Sequence, residues 1–436
     1  MVPSTLTRPG AGRFWLAVLL TGVGTGMGAA ALTRLLETVQ RLMWGGHGTD
    51  LLDSAMGTET WHRIAVLLAA GLLTGLGQVL LRRLSSSNGI DITEAIWFQA
   101  GRLPPLRTIG SALLSIVVVG MGASLGREGA PKQTGAVIAN GLSNRAGLSD
   151  DERRLLVASG AGAGMAAAYG VPLGGALFAL EVLRGKLSLR LVLPALVTSV
   201  IATGVSWLVL PNAPTYVIPA FASSASVLVW VCLAGPIAGV LSVGYVRLVA
   251  TADRLKPKAW GRIVAPIVVL GVLGAVSSVY PQLLGNGRDI AQLAFSGAVA
   301  PTLLLVLLVL KPAATLLCVG TGVPGGLFTP SLSFGALLGG ALGFVWSRLW
   351  PGVPPGLFAV LGAAAVLAAT TQGPISAIVL VMELTGLDRA FVIPLLLIVA
   401  LATLVARTIE PRSIYDARLS DEEIAERQKM REEPAQ

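Results

Sequence analysis

The sequence is poor in the residues on which most protein chemistry depends. Its 436 residues include two histidines and two cysteines. His47 and His62 lie in or beside one polar loop, too few ligands for a zinc site or a histidine-based catalytic cluster. Cys232 and Cys318 both fall in apolar runs and read as small buried hydrophobes, not as a disulfide or metal pair. No metal and no cofactor is therefore expected. Charge is scarce as well. Asp, Glu, Lys and Arg make up 13% of the chain, against about 25% in a soluble domain. An integral membrane enzyme would need a nucleophile with a base, paired aspartates or metal ligands, and no Asp-rich motif falls within an apolar run. That class is kept as the distant alternative.

What is present is uncharged apolar sequence. Phe14–Thr33, Ile64–Leu81, Leu155–Leu180, Leu191–Val246, Pro312–Ser347, Leu349–Met382 and Phe391–Ala406 contain no ionisable Asp, Glu, Lys or Arg. About 18 such residues suffice to span a bilayer as a helix. The runs are continuous rather than alternating, which argues against a β-barrel. The expected fold is an all-α integral membrane protein. The net charge of +9 fits positive-inside loops in contact with membrane lipid, and no basic face for nucleic acid is found. Phe14–Thr33 is read as the first membrane helix, because it lacks a convincing cleavage site for a signal peptide.

In order, residues 1–12 form an N-terminal tail and 13–211 a first membrane repeat. Residues 212–226 are a Pro/Ser/Ala-rich connector, 227–409 a second repeat, and 410–436 a C-terminal segment with a polar tail too short to fold as a regulatory domain. The repeat is legible in two broken helices. Gly160-Ala161 lies over Gly362-Ala363, Ala166-Ala167 over Ala368-Ala369, Pro172 over Pro374, and Glu181 over Glu383. An odd number of crossings per half would make the halves inverted, with the organisation of a half-transporter repeat.

Two glycine-rich stretches hold equivalent places in these halves. One runs from Gly122 through Gly126-Arg127-Glu128-Gly129 to Gly135, and the other from Gly320 through Gly325-Gly326-Leu327-Phe328-Thr329 to Pro330. A carboxylate inside an otherwise uncharged membrane stretch is a functional candidate by default. Non-helical backbone at membrane depth is tolerated only where it lines a cavity or is buried in protein. Helix N-termini supply free N–H groups and about half a positive charge. Several of them aimed at one point would hold a small anion without a full charge that traps it. Glu128 is then a rival for the anion's seat, or a group that takes up a proton. Arg127 reads as a structural partner, and Glu181 and Glu383 as interfacial acids facing Arg184 or Arg389.

The set Gly126-Arg-Glu-Gly129, Gly325-Gly-Leu-Phe-Thr-Pro330 and Tyr415 resembles the CLC family of chloride channels and proton-coupled chloride transporters, in order from about Phe14 to about Leu419. The resemblance implies an inverted-repeat bundle of tilted and broken membrane helices. It implies a homodimer with one pathway per subunit, in a bacterial inner membrane, without cytoplasmic regulatory domains. It places the gating glutamate on Glu128. The anion contacts fall on Gly129, Leu327, Phe328 and Thr329, with Tyr415 on the inner side and Asn88 where the family carries serine. Gly126, Arg127, Gly325 and Gly326 form the supporting motif. Position 130 is Ala where the family's proline is usual, and Pro follows at 131. The proton-transfer acid of coupled members aligns with Val182, beside Glu181, which is kept as a candidate proton-linked acid. Valine there leans the expectation toward channel-like passive movement of chloride or a similar small anion. Chloride/proton antiport and fluoride export are the alternatives.

Overall fold

The computed structural model describes residues 10–46, 50–83, 91–219, 224–386, 391–419 and 422–423. Among them seventeen α-helices form, and no strand. The first half contains α1 (Ala11–Trp44), α2 (Leu51–Met56), α3 (Thr60–Arg83), α4 (Ile92–Phe98), α5 (Pro105–Gly120), α6 (Gly129–Ala146), α7 (Asp150–Tyr169), α8 (Pro172–Phe178) and α9 (Leu189–Ser206). The second contains α10 (Ala225–Arg254), α11 (Gly261–Val276), α12 (Arg288–Phe295), α13 (Pro301–Gly320), α14 (Phe328–Leu349), α15 (Pro355–Thr371), α16 (Pro374–Thr385) and α17 (Val392–Ile409).

Seven of these are long and apolar enough to cross a membrane: α1, α3, α9, α10, α13, α14 and α17. The chain is a multi-pass integral membrane protein. With 34 residues, α1 is about 51 Å long at 1.5 Å per residue, against a hydrocarbon core of ~30 Å. Such a helix fits by tilting. It continues to Trp44, beyond the Thr33 at which the uncharged run ends, and the Trp44 indole donates to the Gly120 carbonyl at 3.1 Å.

Small residues set the centre. Every residue from Leu155 to Tyr169 in α7 is buried, as is every residue from Gly356 to Thr371 in α15. Both are rich in Gly and Ala, so neighbouring backbones approach closely. A Cβ at Gly135 on α6 would overlap the Gly160 carbonyl of α7. A Cβ at Gly335 on α14 would meet the Gly362 carbonyl of α15 in the same way. These two crossings occupy corresponding positions in the two halves.

The halves also match in backbone. Gly170 (φ 70°) and Gln372 (φ 57°) end α7 and α15 in the left-handed region. Val171 (φ −121°, ψ 68°) and Gly373 (φ −122°, ψ 73°) follow, and proline then opens α8 and α16. Proline suits a first helical position, where its missing N–H costs nothing. After this break the chain forms α8 and then a π-helical turn over Ala179–Arg184. Of the two cysteines, Cys318 is buried as expected, but Cys232 is exposed on α10.

Candidate functional site

The two glycine-rich stretches meet. Gly126 N–H donates to the Gly326 carbonyl at 2.7 Å, and Gly326 N–H returns a bond to the Gly126 carbonyl at 2.7 Å. This antiparallel bridge joins the halves. It sets the start of α6 beside the start of α14. Both helices begin inside the glycine-rich stretches, at Gly129 and at Phe328.

Glu128 is fully buried. It precedes α6 but makes no cap bond to that helix. Its carboxylate crosses to the other half. Oε1 accepts the Phe328 amide, the first of α14, at 2.7 Å. Oε2 accepts the Thr329 hydroxyl at 3.2 Å and the Tyr169 hydroxyl at 3.3 Å. The two hydroxyls lie 2.9 Å apart. The carboxylate therefore fills an anion position at a helix N-terminus. A Cβ at Gly126 or at Gly326 would overlap it, so glycine at both places makes room for the side chain.

Two cavities approach this point. One of about 380 Å³ is lined by Gly129, Gly325, Gly326, Leu327 and Tyr415. Another of about 400 Å³ reaches Arg127, with Arg34, Arg288, Glu37 and Asp289 around it. Glu128 lines neither. Arg82 and Lys256 line the first cavity, and Arg83, Arg254 and Arg262 stand at the same helix ends. The family resemblance puts the Tyr415 side of the molecule inward. There the Tyr415 hydroxyl is buried and, among the described residues, has no hydrogen-bond partner. Glu94 lines the same cavity, and burial, with Asp91 beside it, pushes its carboxyl upward.

The other expected residues have clear places. Arg127 stacks its guanidinium on the Tyr169 ring, 4.8 Å from the centroid, and makes no ion pair with Glu128. Leu327 caps α14 and is buried. Gly129 opens α6. Asn88 lies outside the described residues.

Glu181 does not face Arg184. Its carboxylate accepts the Ile375 and Ser376 amides at 3.1 and 2.6 Å, the second and third amides of α16. Glu383 returns the arrangement by accepting the Leu173 and Gly174 amides of α8 at 3.1 and 2.7 Å. The free N–H groups at each helix start take the carboxylates, while Arg184 is engaged elsewhere. Arg184 instead reaches Asp151 at 3.7 Å and lies over Trp97. Arg389 is outside the described residues. Val182 is buried beside a third cavity, lined by Glu181, Thr371, Gln372 and Ser413.

Sequence reasoning missed two residues. Tyr169 touches Glu128, and its signal was an aromatic ending a run of Gly and Ala. Lys132, one turn into α6, is buried with its ammonium over two rings, 4.8 Å from the centre of Tyr415 and 5.2 Å from that of Phe178. Its signal was a lone cation just beyond the glutamate. Each cation–π contact is worth up to about 2 kcal/mol when desolvated. Burying an ion costs several kcal/mol, so the rings alone leave this charge under-compensated.

The sequence profile described as voltage gated chloride channel matches residues 65–407. A protein of Vibrio parahaemolyticus named H(+)/Cl(-) exchange transporter ClcA is 30% identical, over 84% of this chain and 82% of that one. A protein of Salmonella typhimurium named voltage-gated ClC-type chloride channel ClcB is 29% identical, over 92% of this chain and 97% of that one. Among solved structures, a slow cyanobacterial Cl-/H+ antiporter superposes with a TM-score of 0.80 at 22% identity, covering 98% of this chain and 99% of that one. At that identity the likeness concerns the fold.

Proposed function

The chain belongs to the voltage gated chloride channel family, and on that premise we propose that it moves chloride across the membrane in exchange for protons, with Glu128 serving both ions. The carrying observation is the seat of the Glu128 carboxylate on the Phe328 amide, between two cavities and open to neither. An anion passing this point must displace the carboxylate. A carboxylate that takes up a proton no longer competes for an amide that prefers a negative partner. Each such displacement links one anion to one side chain that carries a proton. The Vibrio relative named as an exchange transporter supports this reading over the passive movement that Val182 suggested.

The proton's inner path in this proposal is the Tyr415 cavity itself. Glu94 lines it and supplies an acid there. Glu181 is given a structural role, because both its oxygens are engaged by α16. The proposal includes a homodimer with one pathway per subunit, and the two repeats bounded at the 212–226 connector.

Passive, channel-like movement is the second reading. It is favoured by the apolar Val182 where the resemblance puts a proton acid, and by the relative named as a channel. Release of chloride from loaded proteoliposomes, with potassium and valinomycin to clamp the voltage, tests the shared part of both readings. Chloride release well above the protein-free leak is expected, with fluoride slower. A preparation that releases no halide would overturn both.

A further inference from the structure

Lys132 is a buried cation that the exchange scheme above does not use. The residue is 6% exposed. Among the described residues its ammonium makes no hydrogen bond and no ion pair, and its neighbours are the faces of Phe178 and Tyr415. It lines the inner cavity together with Gly129, Gly326, Leu327 and Tyr415. The same ring that carries the Lys132 charge on its face carries a hydroxyl that is buried and, among the described residues, without a partner. Lys132 also stands on the helix whose first turn follows Glu128.

We propose that Lys132 and Tyr415 form the inner wall of the anion seat, and that the Lys132 ammonium holds a monovalent, halide-sized anion there by direct charge. This rests on the chloride reading of the same seat. The chemistry is complementary on both sides. Among the described residues no carboxylate comes within ion-pair distance of the ammonium, Glu128 and Asp91 acting on it only from farther off, and the tyrosine hydroxyl has no hydrogen-bond partner. One anion between them serves both, while the amides of α14 stand on its far side.

The charge has a kinetic consequence. Helix ends alone hold an anion weakly enough to release it, whereas a full charge deepens the well. A chain with a lysine at this place binds its anion tightly and releases it slowly.

The test is chloride binding by calorimetry on the full-length solubilised protein, paired with flux. Lys132→Met is expected to weaken chloride binding about 10- to 100-fold, the effect of one charge at about 5 Å in a partly screened interior. Its maximal flux at saturating chloride is expected to hold or rise. Lys132→Arg keeps the charge and is expected to stay within about 3-fold of the parent in affinity. A lysine that only packed the core would shift folding yield and leave affinity alone. Unchanged affinity in folded Lys132→Met would overturn the proposal while leaving the chloride reading intact. Absence of any chloride binding or flux in the parent protein would instead overturn the chloride reading. Should Lys132→Met not fold, anomalous scattering from bromide in parent crystals decides. Bromide within about 4 Å of Lys132 Nζ supports the wall, and bromide seated only on the α14 amides with Lys132 turned away overturns it.

Discussion

The Glu128 carboxylate accepts the backbone amide of Phe328 at 2.7 Å across 200 residues of sequence. One half of the chain thereby caps the central helix of the other. The paired bonds between Gly126 and Gly326 hold the two backbones in place, and the glycines keep the space that the carboxylate occupies. In the exchange proposal Glu128 acts as a removable cap. Its strength lies in a charge-assisted bond of about 1.5–3 kcal/mol, which a chloride ion in the same seat can replace.

Replacing Glu128 by Gln keeps the shape and removes the charge. Proton movement coupled to chloride is expected to vanish while chloride still passes. Parallel chloride and proton flux on the variant checks this, and proton coupling like that of the parent would reduce Glu128 to a structural cap.

Gly326→Ala places a methyl group on the Glu128 carboxylate. The side chain is the part that yields, so the carboxylate leaves its seat. The variant is expected to behave like Glu128→Ala in flux. Combining the two changes should add little, because both remove one contact. Additive losses would show that Gly326 acts elsewhere.

Glu181 and Glu383 cap each other's neighbouring helices. Glu181→Gln leaves part of the capping geometry but removes the charge. It is expected to lower stability by about 1–3 kcal/mol, read as an earlier thermal transition, while the proton-to-chloride ratio stays as in the parent. A folded Glu181→Gln protein that moves chloride without protons would make Glu181 a proton carrier after all.

Glu410 lies just past α17 and binds Arg412 at 2.6 Å and Arg247 at 3.2 Å. The Arg412 bond, aided by Arg247, holds its carboxyl down to about 2. A depressed acid contributes stability above its unfolded value, and that contribution fades as pH falls through the folded one. The C-terminal segment is therefore expected to loosen between about pH 4.5 and pH 2. Glu410→Gln should melt earlier at pH 6 and lose the acid-dependent part of the decline. Equal pH dependence in the two proteins would contradict the assignment.

Much of this was legible in the sequence because charge is so rare in it. Glu128 stood out among apolar residues, and the equal spacing from Pro172 to Glu181 and from Pro374 to Glu383 exposed the repeat. What that spacing could not show was the partner, because each glutamate binds amides of a helix about two hundred residues away. The arginine next door was the local guess, and the helix ends won it. Tyr169 and Lys132 escaped for a related reason. A tyrosine ending a small-residue helix and a lysine one turn past a glutamate are ordinary locally, and acquire meaning only when α7, α6 and the Tyr415 segment converge.

The most direct test of the exchange claim asks whether a chloride gradient alone can drive protons uphill. Liposomes holding the full-length protein are loaded with high chloride at symmetrical pH, and the voltage is clamped with potassium and valinomycin. As chloride leaves, protons are expected to enter against their own developing gradient, raising the external pH at a fixed ratio to chloride. Chloride that equilibrates with no proton uptake beyond the protein-free leak would contradict the account and leave passive movement in its place.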